Sequence, residues 1–318
     1  MKNASQSENK IWTSKSLAPV CFHNFFYNVI RFTGRQAAYI LLFFVVSFYC
    51  LLPGIRRRGM HYISRRFEKQ NMVRRFIHIF RMYWNFGQML VDRSVLRILG
   101  KFEATGAAEH KKKLQELYAE HGKLILLTGH AGCWQMGISY LNFLDAPKAV
   151  VMLTDNNDVD KHSFKLRPCG ADGSEGTGSE EEEITIINPA TALGGSLEML
   201  SALRNKSVLC INADRTFGSK KHTVEVDFLG GTIRLPISGY KIAATTNTPV
   251  AIVFSARTGA GKGEFWISDV LYIPENTGKS GVRGAEAFKP FAQKYAHELE
   301  KYCKDHPYQF YNFFNMWQ

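Results

Sequence analysis

Short runs of branched apolar residues, each closing on a polar residue and each separated from the next by helical spacing, constrain this chain most. Residues 124–127 (Leu-Ile-Leu-Leu) run into Thr128, Gly129 and His130, and 134–143 then reads as a helix. The same layout returns at 149–155, which ends in Asp155, and at 207–214, which ends in Asp214. A further apolar strand follows at 249–255. Strand, turn, helix, strand implies a parallel βαβ unit, because parallel neighbours require a crossover long enough to hold a helix. The chain therefore reads as an α/β fold with a mixed, mostly parallel central sheet flanked by helices. Strands at 184–187, 223–229 and 264–273, the last near the sheet edge, and helices at 111–121, 193–203, 237–246 and 284–304 complete it. With 318 residues, 45% of them hydrophobic, the chain can bury such a core.

Ahead of this pattern the chemistry changes. Residues 1–20 are polar and lack the apolar core of an ordinary signal peptide. Residues 36–55 carry no charge, and Arg31, Arg35, Arg56, Arg57, Arg58, Arg65 and Arg66 flank them on both sides. About 20 residues is the length of a bilayer span, but Pro53 and Gly54 shorten the usable helix to roughly 17. Basic residues on both flanks point to a helix lying in or dipping into an anionic membrane face, since a span shows a one-sided excess. A buried core helix is the plainer alternative. Residues 67–101, with aromatics spaced by three and four, read as an amphipathic helix.

The net charge of +12 sits almost wholly in this arm, where residues 1–101 hold 17 Lys/Arg against three acids. Nucleic acid is excluded as its partner, because the aromatics form a continuous apolar block instead of alternating with the basic residues. The organisation expected is a polar and basic tail (1–34), a membrane-associating helical arm (35–101) and an α/β domain (102–318) interrupted by a solvated acidic stretch at 171–183. Six scattered cysteines show neither a C-x-x-C pair nor zinc-ligand spacing. Buried thiols at Cys50 and Cys210 fit a reducing compartment.

The imidazole of His130 stands where β-strand gives way to helix, the place where open α/β sheets carry their chemistry. Its spacing to Gln135 puts the two on different faces of a continuous helix, so they meet only if the ring folds back from the turn, which Gly132 permits. Gln135 would then accept from one ring nitrogen and leave the other as a base. A structural strand-end histidine is the alternative. Cys133 beside it invites a thiol nucleophile reading, and Trp134 either packs beneath the site or touches substrate.

The stretch Gly129-His130-Ala131-Gly132-Cys133-Trp134-Gln135-Met136-Gly137 resembles the first motif of the lipid A late acyltransferases, a branch of the lysophospholipid acyltransferase superfamily. The likeness continues at Asn212-Ala213-Asp214-Arg215, at 228–239, at 248–254 and at His306-Pro307-Tyr308-Gln309-Phe310, and covers roughly residues 35–318. It implies transfer of an acyl chain from an acyl carrier protein or acyl-CoA to a hydroxyl of a membrane lipid or glycolipid at the cytoplasmic face of the inner membrane. His130 would be the general base, and no cofactor beyond the acyl donor is implied. The family has an acid where this chain has Gln135, so Asp214 or Asp155 is expected to supply the charge. Gly132 and Trp134 would line the substrate site, and Arg215 and Arg234, with Lys220 and Lys221, would bind phosphates of a phosphopantetheine arm or lipid head group. A weakened protein that keeps the fold and only binds lipid or acyl carrier is the competing expectation.

Overall fold

The computed structural model describes residues 20–153, 184–216, 222–279 and 284–317, so Asp155, Lys220, Lys221 and the acidic stretch lie outside the described residues. Three helices come first: α1 (Val20–Leu51), α2 (Pro53–Arg66) and α3 (Met72–Leu99). The uncharged run is divided between α1 and α2 because Pro53 has no amide hydrogen to continue a helix and is tolerated only in a first turn. Within α1, Gly34 takes φ 80°, which kinks the helix at the point where its apolar half begins. Asn71 caps α3 by accepting from the Arg74 amide at 2.9 Å.

The body then runs β1 (Glu103–Thr105), α4 (Ala108–His121), β2 (Leu124–Thr128), α5 (Trp134–Tyr140), β3 (Lys148–Val151), β4 (Thr185–Ile187), α6 (Ser196–Arg204) and β5 (Val208–Asn212). It continues with β6 (Thr223–Phe228), β7 (Gly231–Pro236), α7 (Ser238–Thr246), β8 (Val250–Gly259), β9 (Lys262–Leu271) and α8 (Lys289–Asp305). Seven strands form the central sheet in the order β1-β9-β8-β2-β5-β3-β4. Its pairs are parallel except β8 with β9. The mostly parallel α/β sheet flanked by helices is thus the observed architecture.

β2 lies in the middle of this sheet, and its composition follows from that position. Ile125 and Leu127 join the larger apolar core on one face, while Leu124 and Leu126 join the smaller core on the other. A strand covered on both faces needs a continuous apolar run, not an alternating one. β6 does alternate, with Val224, Val226 and Phe228 buried, because it pairs with β7 in a separate two-stranded hairpin. The hairpin turns through left-handed Leu229 and Gly230.

Several expected boundaries move. The run at 149–155 forms a strand only over Lys148–Val151 among the described residues. The helix expected from 284 begins as a tight 3-10 turn, Gly284–Phe288, and becomes α-helical at Lys289, with Pro290 in its first turn. β1 and β7 had no counterpart in the sequence reading, the first because three residues carry no periodicity.

The first three helices pack on the body. Ala38, Leu42, Val46 and Cys50 of α1 are buried, and Leu42 sits so close to Gly87 that a β-carbon there would stand 2.5 Å from its methyl. Fully buried Asp92 of α3 fastens the corner. It receives the Tyr39 hydroxyl at 2.6 Å and pairs with Arg35 at 3.0 Å and Arg257 of β8 at 2.7 Å. A buried carboxylate is tolerable only with such partners.

Candidate active site

The sheet register builds the centre of the site. Thr128, the last residue of β2, is the partner of Asn212, the last residue of β5. His130 and Asp214 each lie two residues beyond that pair, so the parallel strands deliver them to the same place. The His130 Nδ1–H donates to Asp214 Oδ1 at 2.8 Å. Asp214 is 1% exposed and the His130 ring 19%. Arg215 Nε stands 3.9 Å from the second Asp214 oxygen, and Arg215 Nη2 donates to the Tyr311 carbonyl at 2.8 Å.

The turn carrying His130 is pinned by three bonds to two other segments, the C-terminal stretch and β8. Gly132 N–H donates to the Gln309 carbonyl at 2.8 Å, Tyr311 N–H donates to the His130 carbonyl at 2.8 Å, and Cys133 N–H donates to Ser255 Oγ at 3.1 Å. Gly132 has φ 58°, and a β-carbon on it would lie 1.7 Å from the Ser255 carbonyl oxygen, so only glycine fits. Gly129 is similarly confined, its missing β-carbon falling 2.9 Å from the Tyr295 hydroxyl. The chain's last residues therefore hold the histidine's backbone, which fixes the ring against Asp214.

Electrostatics set the two protonation states. Burial, and then the charge of Arg215, hold the His130 pKa below its ordinary value against the upward pull of Asp214. Burial pushes Asp214 up, but His130 and Arg215 outweigh it and its carboxyl titrates below the ordinary range. At neutral pH the pair is a neutral imidazole beside a carboxylate, the form that can accept a proton and stabilise the cation that results.

The other expected residues fall as follows. Gln135 does not reach the imidazole, because its Oε1 accepts instead from Arg93 Nη1 of α3 at 2.7 Å. His130 lies in the turn before α5, whereas Gln135 is the second residue of that helix, where its side chain meets α3. Trp134 meets the His130 ring edge to face at 5.7 Å. Gly132 serves the turn and is buried, away from the lining of the cleft. Arg234 is not brought to the site either. It pairs with Glu225 across the β6–β7 hairpin, on the opposite side of the strand from core residues Ile233 and Leu235. The Cys133 thiol is buried and pushed up to about 12, which removes it as a nucleophile.

Above the strand ends opens a cleft of about 780 Å³, with His130, Gln135, Arg93, Arg215, Lys241 and Tyr311 on its walls. A narrow apolar slot of about 70 Å³ lies behind it, between α4, α5 and the sheet. Trp134, Val151 and Asn212 line both, so they form the wall the two share. Asn212 Oδ1 is buried there without a hydrogen-bond partner. Sequence reasoning missed Arg93 and Tyr311; Tyr311 follows directly on the 306–310 motif, which was the available signal. Among the described residues, no group of three or more His, Cys, Asp or Glu side chains is placed to hold a metal ion.

The mostly parallel α/β sheet thus carries a histidine–carboxylate pair over its strand ends, with an apolar slot nearby. The chain belongs to the bacterial lipid A biosynthesis acyltransferase family, whose model matches residues 64–318. Among solved structures, the 1-acyl-sn-glycerophosphate (LPA) acyltransferase PlsC from Thermotoga maritima is similar, with a TM-score of 0.38 and 11% identity over 85% of this chain and 98% of that one. Among the curated proteins, none matches this chain.

Proposed function

We propose that the protein moves a fatty acyl chain from an acyl-carrier-protein or CoA thioester to a hydroxyl or amine of a membrane lipid or glycolipid. The observation that carries this reading is the His130–Asp214 pair, with His130 on the wall of a cleft that shares Trp134, Val151 and Asn212 with an apolar slot. With Nδ1–H donated to Asp214, His130 takes the acceptor's proton on Nε2 as the acceptor oxygen attacks the thioester carbonyl. Asp214 stabilises the imidazolium that forms, and the same proton then goes to the departing thiolate as the tetrahedral intermediate collapses. The acceptor is itself the nucleophile, so no acyl-enzyme is formed.

Asp214 supplies the negative charge that Gln135 lacks, which favours turnover over the binding-only alternative. Trp134 and the slot behind it receive the acyl chain. Arg93, Arg215 and Lys241 give the cleft walls cationic groups suited to a phosphate, on the donor arm or on the lipid head group. Work at the cytoplasmic face of the inner membrane follows, since the donor thioesters are made in the cytoplasm and the acceptor is a lipid. Mass spectrometry of a bacterial lipid extract, incubated with the protein and either donor, tests the reading. A lipid class gaining one acyl mass supports it; an unchanged lipid profile with both donors refutes it.

A further inference from the structure

The residues that end β2 and β5 break an apolar pattern. On the face of the sheet that carries the smaller core, β2 presents Leu124 and Leu126, and β5 presents Val208 and Cys210. Alternation puts Thr128 and Asn212 next on that same face, and the register pairs these two with each other. Both line the apolar slot, beside Leu126 and Cys210. One step further along stand His130 and Asp214. The two strands thus set out rows in a fixed order: two apolar rows, then Thr128 with Asn212, then the proton-transfer pair.

Asn212 is the outlier among them. With Trp134 and Val151 it is one of three residues that line both the slot and the cleft. Its Oδ1 is buried without a hydrogen-bond partner, although the residue as a whole is only part-buried. A polar atom left in that state costs free energy, and an apolar side chain would continue the rows of Val208 and Cys210 without the cost. With Oδ1 unbonded, the amide can present its N–H edge to an oxygen that arrives.

Acyl transfer brings such an oxygen. As the acceptor oxygen bonds to the thioester carbon, the C=O π pair moves onto the carbonyl oxygen, which stays an anion until the C–S bond breaks and the pair returns. That charge requires a donor already in place. His130 is occupied with the acceptor's proton, and the Asp214 carboxylate repels an anion. The backbone of the turn does not supply the donor either. The Ala131 N–H donates to the Gly129 carbonyl at 2.7 Å, and those of Gly132 and Cys133 are taken by the Gln309 carbonyl and Ser255 Oγ.

We propose that the side-chain amide of Asn212 donates to the thioester carbonyl oxygen and stabilises the oxyanion of the tetrahedral intermediate. The acyl chain then lies along the Leu126 and Cys210 row in the slot, the carbonyl at the Asn212 row and the attacking oxygen at the His130 row. Successive rows on one face of a strand stand roughly 6.6 Å apart, so side chains of neighbouring rows can reach one carbonyl group set between them. This rests on the proposed acyl transfer and adds a catalytic residue to it.

Asn212→Ala and Asn212→Leu, compared with wild type in acyl transfer to extracted membrane lipid, test the assignment with whichever thioester wild type consumes. Removing the donor should lower kcat about 10²–10³-fold and leave the KM for the thioester within about threefold. Affinity for a thioether analogue of that donor, which keeps the chain and lacks the carbonyl, should also stay within about threefold, whereas loss of a residue that only shapes the slot would weaken it. Asn212→Leu removes the unbonded oxygen and should melt at or above wild type, the opposite of what a purely structural role predicts. A kcat for Asn212→Ala within about threefold of wild type, or a loss confined to KM and analogue affinity, would overturn the assignment and leave the acyltransferase reading intact. Wild type that consumes neither thioester would refute that reading, and this inference with it.

Discussion

Replacing Asp214 by Asn keeps the size of the group that His130 touches and removes its charge. The wild-type bond is charge-assisted, 2.8 Å long and almost fully shielded from water. Such bonds contribute about 1.5–3 kcal/mol, or roughly 10- to 150-fold in rate if the whole of it is realised as the imidazolium forms. The amide adds a second cost, since it can present an N–H to Nδ1 and invert the tautomer. Together the expected fall in kcat is about 10²–10⁴. Arg215, 3.9 Å from the carboxylate, would then act on the imidazole unopposed and lower its pKa further. The assay is release of free thiol from an acyl thioester against pH, run beside Gln135→Glu. Gln135 accepts from Arg93 and not from His130, and Glu can accept in the same way, so Gln135→Glu should stay within about threefold of wild type. An Asp214→Asn plateau near that of wild type, or a large gain from Gln135→Glu, would show that the acid partner has been misassigned.

Four other outcomes follow from the same geometry. The kcat/KM profile should lose activity in acid with a midpoint below 6.5, because the active imidazole is neutral and the fold holds its pKa down; a midpoint at or above 6.5 would contradict the burial and Arg215 effects. By the same sign, stability contributed by neutral His130 is complete above the unfolded pKa and declines as pH falls, followed at lower pH by the share from depressed Asp214, which acid denaturation curves would register. Gly132→Ala forces a β-carbon to 1.7 Å from a backbone oxygen at positive φ, so it should cost about 2–6 kcal/mol and abolish activity; a wild-type melting curve would show that the turn can relax. Asp92→Asn leaves Arg35 and Arg257 without their shared carboxylate and should lower stability by about 3–5 kcal/mol, seen as a Tm drop of roughly 4–8 °C.

The sheet was legible in the sequence because its central strands are buried on both faces and so consist of unbroken apolar runs. Asp214 was legible for a related reason. It ends the same kind of run as His130, and parallel pairing in register carries strand-end residues to one edge. Gln135 was not, since its partner Arg93 lies 42 positions away on α3 and no local spacing encodes that contact. Arg234 looked like a substrate ligand from its neighbours in sequence, but hairpin register sets it across from Glu225. The role of the C-terminal segment was hidden for want of periodicity: Gln309 and Tyr311 act through backbone bonds to the His130 turn, which side-chain patterns do not reveal.

The central claim is that His130 removes the acceptor's proton in acyl transfer. Its most direct measurement is acyl transfer to extracted membrane lipid by wild type and His130→Ala, with fold and vesicle binding matched. Wild type is expected to consume thioester and lengthen a lipid by one acyl chain, while His130→Ala binds the same vesicles and transfers at the background rate. Equal transfer by the two proteins would contradict the assignment of His130 as the base.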